Sequence, residues 1–257
     1  MQIQNISSIN YYNKTQNPNF KSWRREVLHE CSNPKTLTKL VKHRNDTWFF
    51  RDCLNWEQFG KFLVEKYKNI PKVNVFNYAC SNGSEAYSFI MELFSNNDYD
   101  IAQKFMPVIA KDYDQVAIDY AKSGVIKIES GEKSSIDLRT NDCFPMFFRE
   151  SELYEKNLYE PRHILSSNVI FTKANILDDY KTIPKDNSVI LARNFWPYLK
   201  YNDRVKVIQE LYKHLKENCT LVIGRFDNQG SWDATPTRQI LESVGFKESE
   251  VENVFTK

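Results

Sequence analysis

From residue 71 onward, apolar runs with the spacing of buried strands alternate with segments that carry one apolar helical face. The predicted strands cover residues 72–79, 107–114, 168–176, 187–194 and 219–226. The predicted helices cover residues 84–95, 115–124, 201–218 and 237–246, before a closing extended segment. Gly124 is placed to close the second helix, and Asn202 or Asp203 is available to cap the third. This alternation indicates an α/β fold with a mostly parallel sheet flanked by helices.

The chain before residue 71 has a different pattern. Residues 1–20 are rich in Asn and Gln and have no clear period, whereas residues 22–62 contain short helical patterns. We therefore predict an N-terminal arm with a small helical region over 1–70 and one large domain over 71–257. Within that domain, residues 125–167 are irregular, and no strands can be assigned there from the pattern alone.

Composition narrows the functional classes. A net charge of +2 gives no basic footprint for a nucleic acid, and no apolar run approaches a membrane span. No secretion signal is evident at the start, so we expect a soluble, cytoplasmic protein. The five cysteines form no C-x-x-C pair, and the four histidines have no metal-ligand spacing. A disulfide framework, a structural zinc site and a catalytic metal are therefore not expected.

Ligands of such sheets bind at the carboxyl ends of the strands, and the first strand ends in the stretch "NYACSNGSEAYSF", residues 77–89. Gly83 can adopt the positive φ of a tight turn, and Glu85 lies in the first turn of the next helix. Acidic residues are common in first turns for stability alone. A carboxylate here would also repel phosphate and attract an ammonium group, which suits S-adenosylmethionine, a cationic nucleoside without phosphate.

The second and third strands also end in polar residues. Asp112 stands at the end of the second strand and could accept both hydroxyls of a ribose. A helix cap is the alternative role for an aspartate in this loop, and Asp114 fits it better because it directly precedes the helix. After the third strand, Asn175, Ile176 and Leu177 offer a polar and apolar cradle for an adenine.

The fourth strand ends in "ARNFWPYLK", residues 192–200, where a proline prevents regular helix. A loop that only connects a strand to a helix does not need polar and aromatic side chains such as Arg193, Asn194 and Tyr198. A packed Trp–Tyr lid with a structural arginine is the alternative interpretation.

Together these segments resemble the CheR family, the chemotaxis receptor glutamate methyltransferases that use S-adenosylmethionine. The family loop A-x-S-T-G-E-E-P-Y-S is here "ACSNGSEAYS", the D-I-D-like triplet is "DYD", and N-L-L is "NIL". The family segment C-R-N-V-x-x-Y-F is here "ARNFWPYL", and the upstream N-x-T-x-F-F-R is "NDTWFFR", residues 45–51. The matches run in order over most of the chain, and the upstream one falls outside the general fold.

The resemblance implies a Rossmann-like class I methyltransferase that O-methylates glutamate carboxylates of chemoreceptor proteins, with no metal. It implies catalytic roles for Arg51, Arg193 and Tyr198, of which Arg51 and Tyr198 would face the substrate carboxylate. It also implies a small inserted subdomain within 125–167 that docks the receptor. It also implies the residues that bind the cofactor. Glu85 would contact the methionine amino group, Asp112 the ribose, and Asn175 with Ile176 the adenine. Arg193 and Asn194 would lie near the reacting end, and Asn45, Thr47 and Arg51 would close over the cofactor from the helical region.

Several positions depart from the family pattern. Ser84 replaces the first loop acid, Ala86 replaces the proline, Pro197 is additional, and the "GHSES"-like segment is "GRFDN", residues 224–228. These changes alter surfaces that meet the acceptor more than the cofactor site. A methyltransferase acting on a small molecule or an unrelated protein, and a non-catalytic S-adenosylmethionine-binding protein, are therefore kept as alternatives. The oligomeric state is not predicted.

Overall fold

The structure is a computed structural model that describes residues 47–51, 54–152, 156–228 and 235–257. A seven-stranded sheet forms its centre, in the order β6-β2-β1-β7-β8-β10-β9. The strands of this sheet are β1 Asn74–Tyr78, β2 Val108–Asp112, β6 Val169–Lys173, β7 Ser188–Ala192, β8 Thr220–Val222, β9 Lys247–Glu248 and β10 Val254–Thr256. The first five strands in the spatial order are parallel, and β10 runs antiparallel to both β8 and β9. The predicted mostly parallel α/β sheet is confirmed.

The helices of the described residues follow the predicted alternation and add several short ones. They are α1 Trp56–Lys66, α2 Ser84–Asn96, α3 Tyr99–Gln103, α4 Gln115–Lys122, α5 Ser130–Arg139, α6 Phe144–Phe147, α7 His163–Ser166, α8 Ile176–Asp179, α9 Tyr201–His214 and α10 Thr237–Val244. Three 3₁₀ turns lie at Tyr180–Thr182, Trp196–Tyr198 and Arg225–Asn228. The last two directly follow β7 and β8, so they lie at the carboxyl edge of the sheet.

The two faces of the sheet bury separate apolar clusters because side chains alternate along each strand. On β7, Val189 and Leu191 belong to the cluster under α1 and α2, whereas Ile190 and Ala192 belong to the cluster under α9 and α10. Every residue of β7 is buried, as expected for a central strand covered on both faces.

A second, antiparallel sheet lies within residues 126–161, in the order β3-β5-β4. Its strands are β3 Ile126–Lys127, β4 Phe148–Glu150 and β5 Leu158–Pro161. These strands lie within residues 125–167, where no strands could be assigned from the sequence pattern. The division of the chain at residue 70 and the role of 125–167 as an inserted subdomain stay predictions, and residues 1–46 lie outside the described part.

Two sequence expectations need correction. The cap of α9 is Lys200, and neither Asn202 nor Asp203 caps it, because the helix already begins at Tyr201 with Arg204 N–H donating to Lys200 O at 3.0 Å. The fifth strand ends at Val222, so Arg225 and Phe226 belong to a 3₁₀ turn and not to a strand.

No helix in the described part of the chain is long and apolar enough to cross a membrane. Among the same residues, no group of three His, Cys, Asp or Glu side chains is arranged to hold a metal ion.

Candidate active site at the carboxyl edge of the sheet

The loop between β1 and α2 turns so tightly that it requires unusual backbone conformations. Ala79, Ser81 and Gly83 have φ values of 56°, 51° and 89°. At Gly83 a β-carbon would lie 2.6 Å from Cζ of Phe171 on β6, so glycine is required both by conformation and by space. The predicted turn glycine is confirmed, and it lets the loop pack against β6, which is two strands from β1 in the sheet.

Glu85, one residue into α2, forms a buried ion pair with Arg193 at the end of β7. Arg193 Nη1 lies 2.7 Å from Glu85 Oε2, and Asn77 Nδ2 donates to Glu85 Oε1 at 2.8 Å. The two charged side chains are 12% and 1% exposed, so water screens them little. Burial raises the pKa of the Glu85 carboxyl, and the Arg193 charge opposes that rise.

Arg193 also ties the segment 47–51 to the sheet. Its Nη2 donates to Arg51 O at 3.0 Å, and its guanidinium lies 5.4 Å from the ring centre of Trp56 in α1. On the same segment, Phe50 N–H donates to Ser88 Oγ of α2 at 2.8 Å. Thr47 and Arg51 are therefore carried on a segment anchored beside Glu85. Asn45 lies outside the described residues.

Asp112 at the end of β2 holds the backbone of two loops. Its Oδ2 accepts from Ser81 N–H at 2.7 Å and its Oδ1 from Asp114 N–H at 2.8 Å. Burial raises the pKa of the Asp112 carboxyl, and these two amides oppose the rise. Asp114 itself caps α4 by accepting from Val116 N–H at 2.9 Å, so the cap assigned to it from the sequence is confirmed.

Asn175 caps α8 by accepting from Leu177 N–H at 3.0 Å, and Ile176 beside it is buried. Both therefore lie at the start of a short helix that follows β6, the edge strand next to β2. Their predicted contact with an adenine is compatible with this position and stays a prediction.

Beyond Arg193, the loop after β7 places its residues in contrasting surroundings. Asn194 has a φ of 61°, and its N–H donates to Asp227 Oδ2 at 2.7 Å. Trp196 is fully buried, whereas Tyr198 is 74% exposed, with its ring 5.8 Å from the ring of Phe226. A tyrosine with this exposure can meet a large acceptor.

Sequence reasoning missed Asn77 and Asp227. Asn77 is fully buried on β1, donates to Glu85, and its Oδ1 has no hydrogen-bond partner among the described residues. A polar residue inside an apolar strand is a signal that could have identified it. Asp227 follows the fifth predicted strand, so the rule that led to Asp112 could have led to Asp227 as well.

The charged groups at this edge fit S-adenosylmethionine chemically. A carboxylate offers about four acceptor positions, and Asp112 uses two of them for backbone amides, which leaves capacity for ribose hydroxyls. Glu85 receives one donor on each oxygen and keeps acceptor capacity for an ammonium group. The one glycine of the loop and the acidic Glu85 are unsuited to a pyrophosphate.

A comparison with models of known protein families shows which family the chain belongs to. Residues 45–235 match the model of the CheR methyltransferase, SAM binding domain. This chain belongs to the CheR family. S-adenosylmethionine is accordingly its cofactor, as the residues of the β1 loop predicted. The matched range begins at Asn45 and includes every candidate site residue named above.

A curated relative supports the same family. The chain is 25% identical over 189 residues to a chemotaxis protein methyltransferase of Borreliella burgdorferi, which covers 70% of this chain. The match spans 63% of that relative's length.

Solved structures that match this chain at low similarity include methyltransferases. One is a TehB-like SAM-dependent methyltransferase from Corynebacterium glutamicum, 14% identical, covering 90% of this chain and 98% of that chain at a TM-score of 0.40. Another is PKMT2 from Rickettsia typhi in complex with AdoHcy, 14% identical, covering 70% of this chain and 26% of that chain at a TM-score of 0.38.

Proposed function

We propose that this CheR-family protein transfers the methyl group of S-adenosylmethionine to glutamate side chains of chemoreceptor proteins. The match of residues 45–235 to the CheR domain is the observation that carries the proposal. The relative from Borreliella burgdorferi bears the name of a chemotaxis protein methyltransferase, and we extend that activity to this chain. The partner would be a cytoplasmic helix of a receptor that presents glutamates.

Each residue at the strand ends would bind a different part of the cofactor. Asp112 binds the ribose, Glu85 binds the amino group, and Arg193 with Asn194 lies near the reacting end. Asn175 and Ile176 line the adenine, and Asn45, Thr47 and Arg51 close over the cofactor. The positions of Glu85, Arg193 and the segment 47–51 support this division because they form one connected buried network.

When bound, S-adenosylmethionine would supply an activated methyl group on its sulfonium: the glutamate oxygen would bond to the methyl carbon, and the carbon–sulfur electron pair would pass to sulfur. No proton is transferred, because a glutamate carboxyl is already ionised near neutral pH. The protein has only to strip water from the carboxylate and align it, which is catalysis by positioning. A general base is not needed.

Arg51 and Tyr198 are assigned to the acceptor carboxylate. Arg193 is 1% exposed on its side chain and its charge is balanced by Glu85, so it is poorly placed to bind a second carboxylate. Arg51, at the end of the segment 47–51, is partly exposed, and its guanidinium lies 4.4 Å from the ring centre of Trp48, a residue that is 37% exposed. An arginine can hold a carboxylate through two parallel hydrogen bonds, and the Tyr198 hydroxyl can fix its orientation.

Incubation with methyl-labelled S-adenosylmethionine tests the proposal. The acceptor would be a synthetic receptor-type helix that carries exposed glutamates, with a matched peptide in which glutamine replaces each glutamate. We expect label on the glutamate peptide alone, released as methanol by mild base because a methyl ester hydrolyses there. A lysate of the source cell should give base-labile label on membrane receptors.

Two outcomes would contradict the proposal. Base-stable label, or label on small molecules in the lysate, would identify a methyltransferase with another acceptor. Tight binding of the cofactor without transfer to any acceptor would identify a non-catalytic S-adenosylmethionine-binding protein.

A further inference from the structure

Two loops meet at the carboxyl edge of the sheet: residues 193–198 after β7 and residues 224–228 after β8. Asp227 in the second loop is completely buried. Its carboxylate accepts three backbone hydrogen bonds. Oδ2 accepts from Gly224 N–H at 2.6 Å and from Asn194 N–H at 2.7 Å, and Oδ1 accepts from Trp196 N–H at 3.1 Å. One side chain thus fixes backbone atoms in both loops.

The amides of the first loop need such an acceptor. Asn194 is in the left-handed region, with a φ of 61°, and Trp196 opens a 3₁₀ turn that contains Pro197. Neither N–H can therefore donate within a strand or a regular helix, and a buried N–H without an acceptor is costly. Asp227 supplies the acceptor from 33 residues away for Asn194 and from 31 residues away for Trp196.

The two loops are also packed closely against each other. A β-carbon at Gly224 would lie 2.1 Å from Asn194 Oδ1, so a larger residue there would displace the Asn194 side chain. The Trp196 indole donates from Nε1 to Ala192 O at 2.6 Å, which anchors the turn beneath Tyr198. The ring contact between Tyr198 and Phe226 forms a second link between the loops.

We propose that Asp227 is a positioning residue for methyl transfer: by holding the Asn194 and Trp196 amides it sets the loop that carries Arg193 and Tyr198. The inference rests on the proposed function for the roles of those two residues. Asp227 is buried behind the loop, so it acts through the backbone and not on the acceptor. A residue that only stabilised the fold would affect the free energy of unfolding and leave the turnover of the folded enzyme unchanged.

Asp227→Asn tests this with the least change of shape. The amide keeps one acceptor oxygen but turns an NH₂ group toward at least one of the three backbone donors. We expect kcat for methyl transfer to fall about tenfold or more, while KM for S-adenosylmethionine changes by less than about threefold. The matched control is Glu92→Gln, which removes another buried carboxylate, located on α2 and hydrogen-bonded to Asn96. This control should destabilise the protein but leave kcat of the folded enzyme unchanged.

Amide hydrogen exchange provides a measurement that does not depend on activity. In the wild-type protein without cofactor, the Asn194 and Trp196 amides should exchange slowly although they lie outside strands and α-helices. In Asp227→Asn they should exchange about tenfold faster, and in Glu92→Gln they should not.

The outcomes separate this inference from the proposed function. Wild-type kcat together with unchanged exchange in Asp227→Asn would overturn the role of Asp227 and leave the proposed function intact. Rapid exchange of the two amides in the wild type would overturn it too, even if the variant failed to fold. If no acceptor is methylated, the proposed function fails, and faster exchange of the Asn194 and Trp196 amides in Asp227→Asn, but not in Glu92→Gln, would still support Asp227 as the residue that holds the loop.

Discussion

The turns that begin α4 and α8 are held by residues two positions apart, whereas the loops after β7 and β8 are held by residues more than 30 positions apart. Asp114 accepts from Val116, and Asn175 accepts from Leu177. By contrast, Asn194 donates to a residue 33 positions later, and Arg193 pairs with a residue 108 positions earlier. A local cap fixes one helix end, but a long-range contact fixes the relative position of two elements. The loop that carries Arg193 and Tyr198 depends on the second kind.

The largest effect that this comparison predicts comes from breaking the long-range ion pair. Arg193→Met leaves Glu85 buried without its cation, so we expect the free energy of unfolding to fall by about 3–5 kcal/mol. Urea unfolding measures it. The matched control is Lys216→Met, which removes the partner of Asp186 where the two side chains are 64% and 44% exposed, and it should cost about 0–1 kcal/mol. Adding Glu85→Gln to Arg193→Met should restore part of the loss. Equal losses for Arg193→Met and Lys216→Met would show that the buried pair has no special importance.

The next effect concerns the loop after β1. Gly83→Ala must adopt a φ near 89° and also displace the Phe171 ring, so we expect a loss of about 2–4 kcal/mol and weaker cofactor binding. Gly124→Ala is a matched control, because its φ of 69° is also positive but no atom lies within 4 Å of the added β-carbon. It should cost only about 1–2 kcal/mol and leave binding unchanged. If both variants lost the same stability, the contact with β6 would not matter.

A further effect depends on pH. Burial raises the pKa of Asp227 from its ordinary 3.8 to about 7, although three amides and Arg193 oppose the rise. Because the folded state holds this proton more tightly than the unfolded state, its contribution to stability is present below pH 3.8 and is lost as the pH rises to about 7. Unfolding free energies at several pH values should therefore show the wild type losing stability relative to Asp227→Asn over that range. A difference that does not vary with pH would mean that Asp227 titrates normally.

The smallest effect on stability is expected at the exposed tyrosine. Tyr198→Phe should change the free energy of unfolding by less than about 0.5 kcal/mol, because the side chain is 74% exposed. It should nevertheless reduce kcat more than the affinity for the cofactor, since the hydroxyl is assigned to the acceptor. Steady-state kinetics and calorimetry on the same preparation compare the two quantities. Equal losses in both would argue against a role in orienting the acceptor.

Structural features that depend on the hydrophobic period or on residues close in sequence could be predicted from the sequence. The five parallel strands, the glycine of the β1 loop and the cap at Asp114 follow from alternation and from local turn chemistry. The strands of the 126–161 sheet have two to four residues each, too few for a period to be recognised. The cap of α9 was wrong because the preceding Trp-Pro-Tyr turn starts the helix earlier than its polar residues indicate.

The candidate site was predictable in part. The residues at the strand ends could be named, and the structure brings Glu85, Arg193 and the segment of Arg51 together. Their mutual pairing could not be predicted, because no local pattern encodes a contact across 108 residues. Asp227 was overlooked although it directly follows the fifth predicted strand, where the rule that identified Asp112 also applies; in the structure it lies in the 3₁₀ turn Arg225–Asn228 after β8.

The central claim is that S-adenosylmethionine binds at this edge with its ribose on Asp112. Calorimetric titration of the wild type, Asp112→Ala and Asp114→Ala with S-adenosylhomocysteine tests it most directly. The two aspartates are two residues apart, but the Asp114 side chain caps α4, so its removal should cost about 1 kcal/mol of stability and leave affinity nearly unchanged. We predict one bound ligand per wild-type chain and an affinity at least about tenfold weaker in Asp112→Ala. No binding by the wild type, or equal affinities in the two variants, would contradict the account.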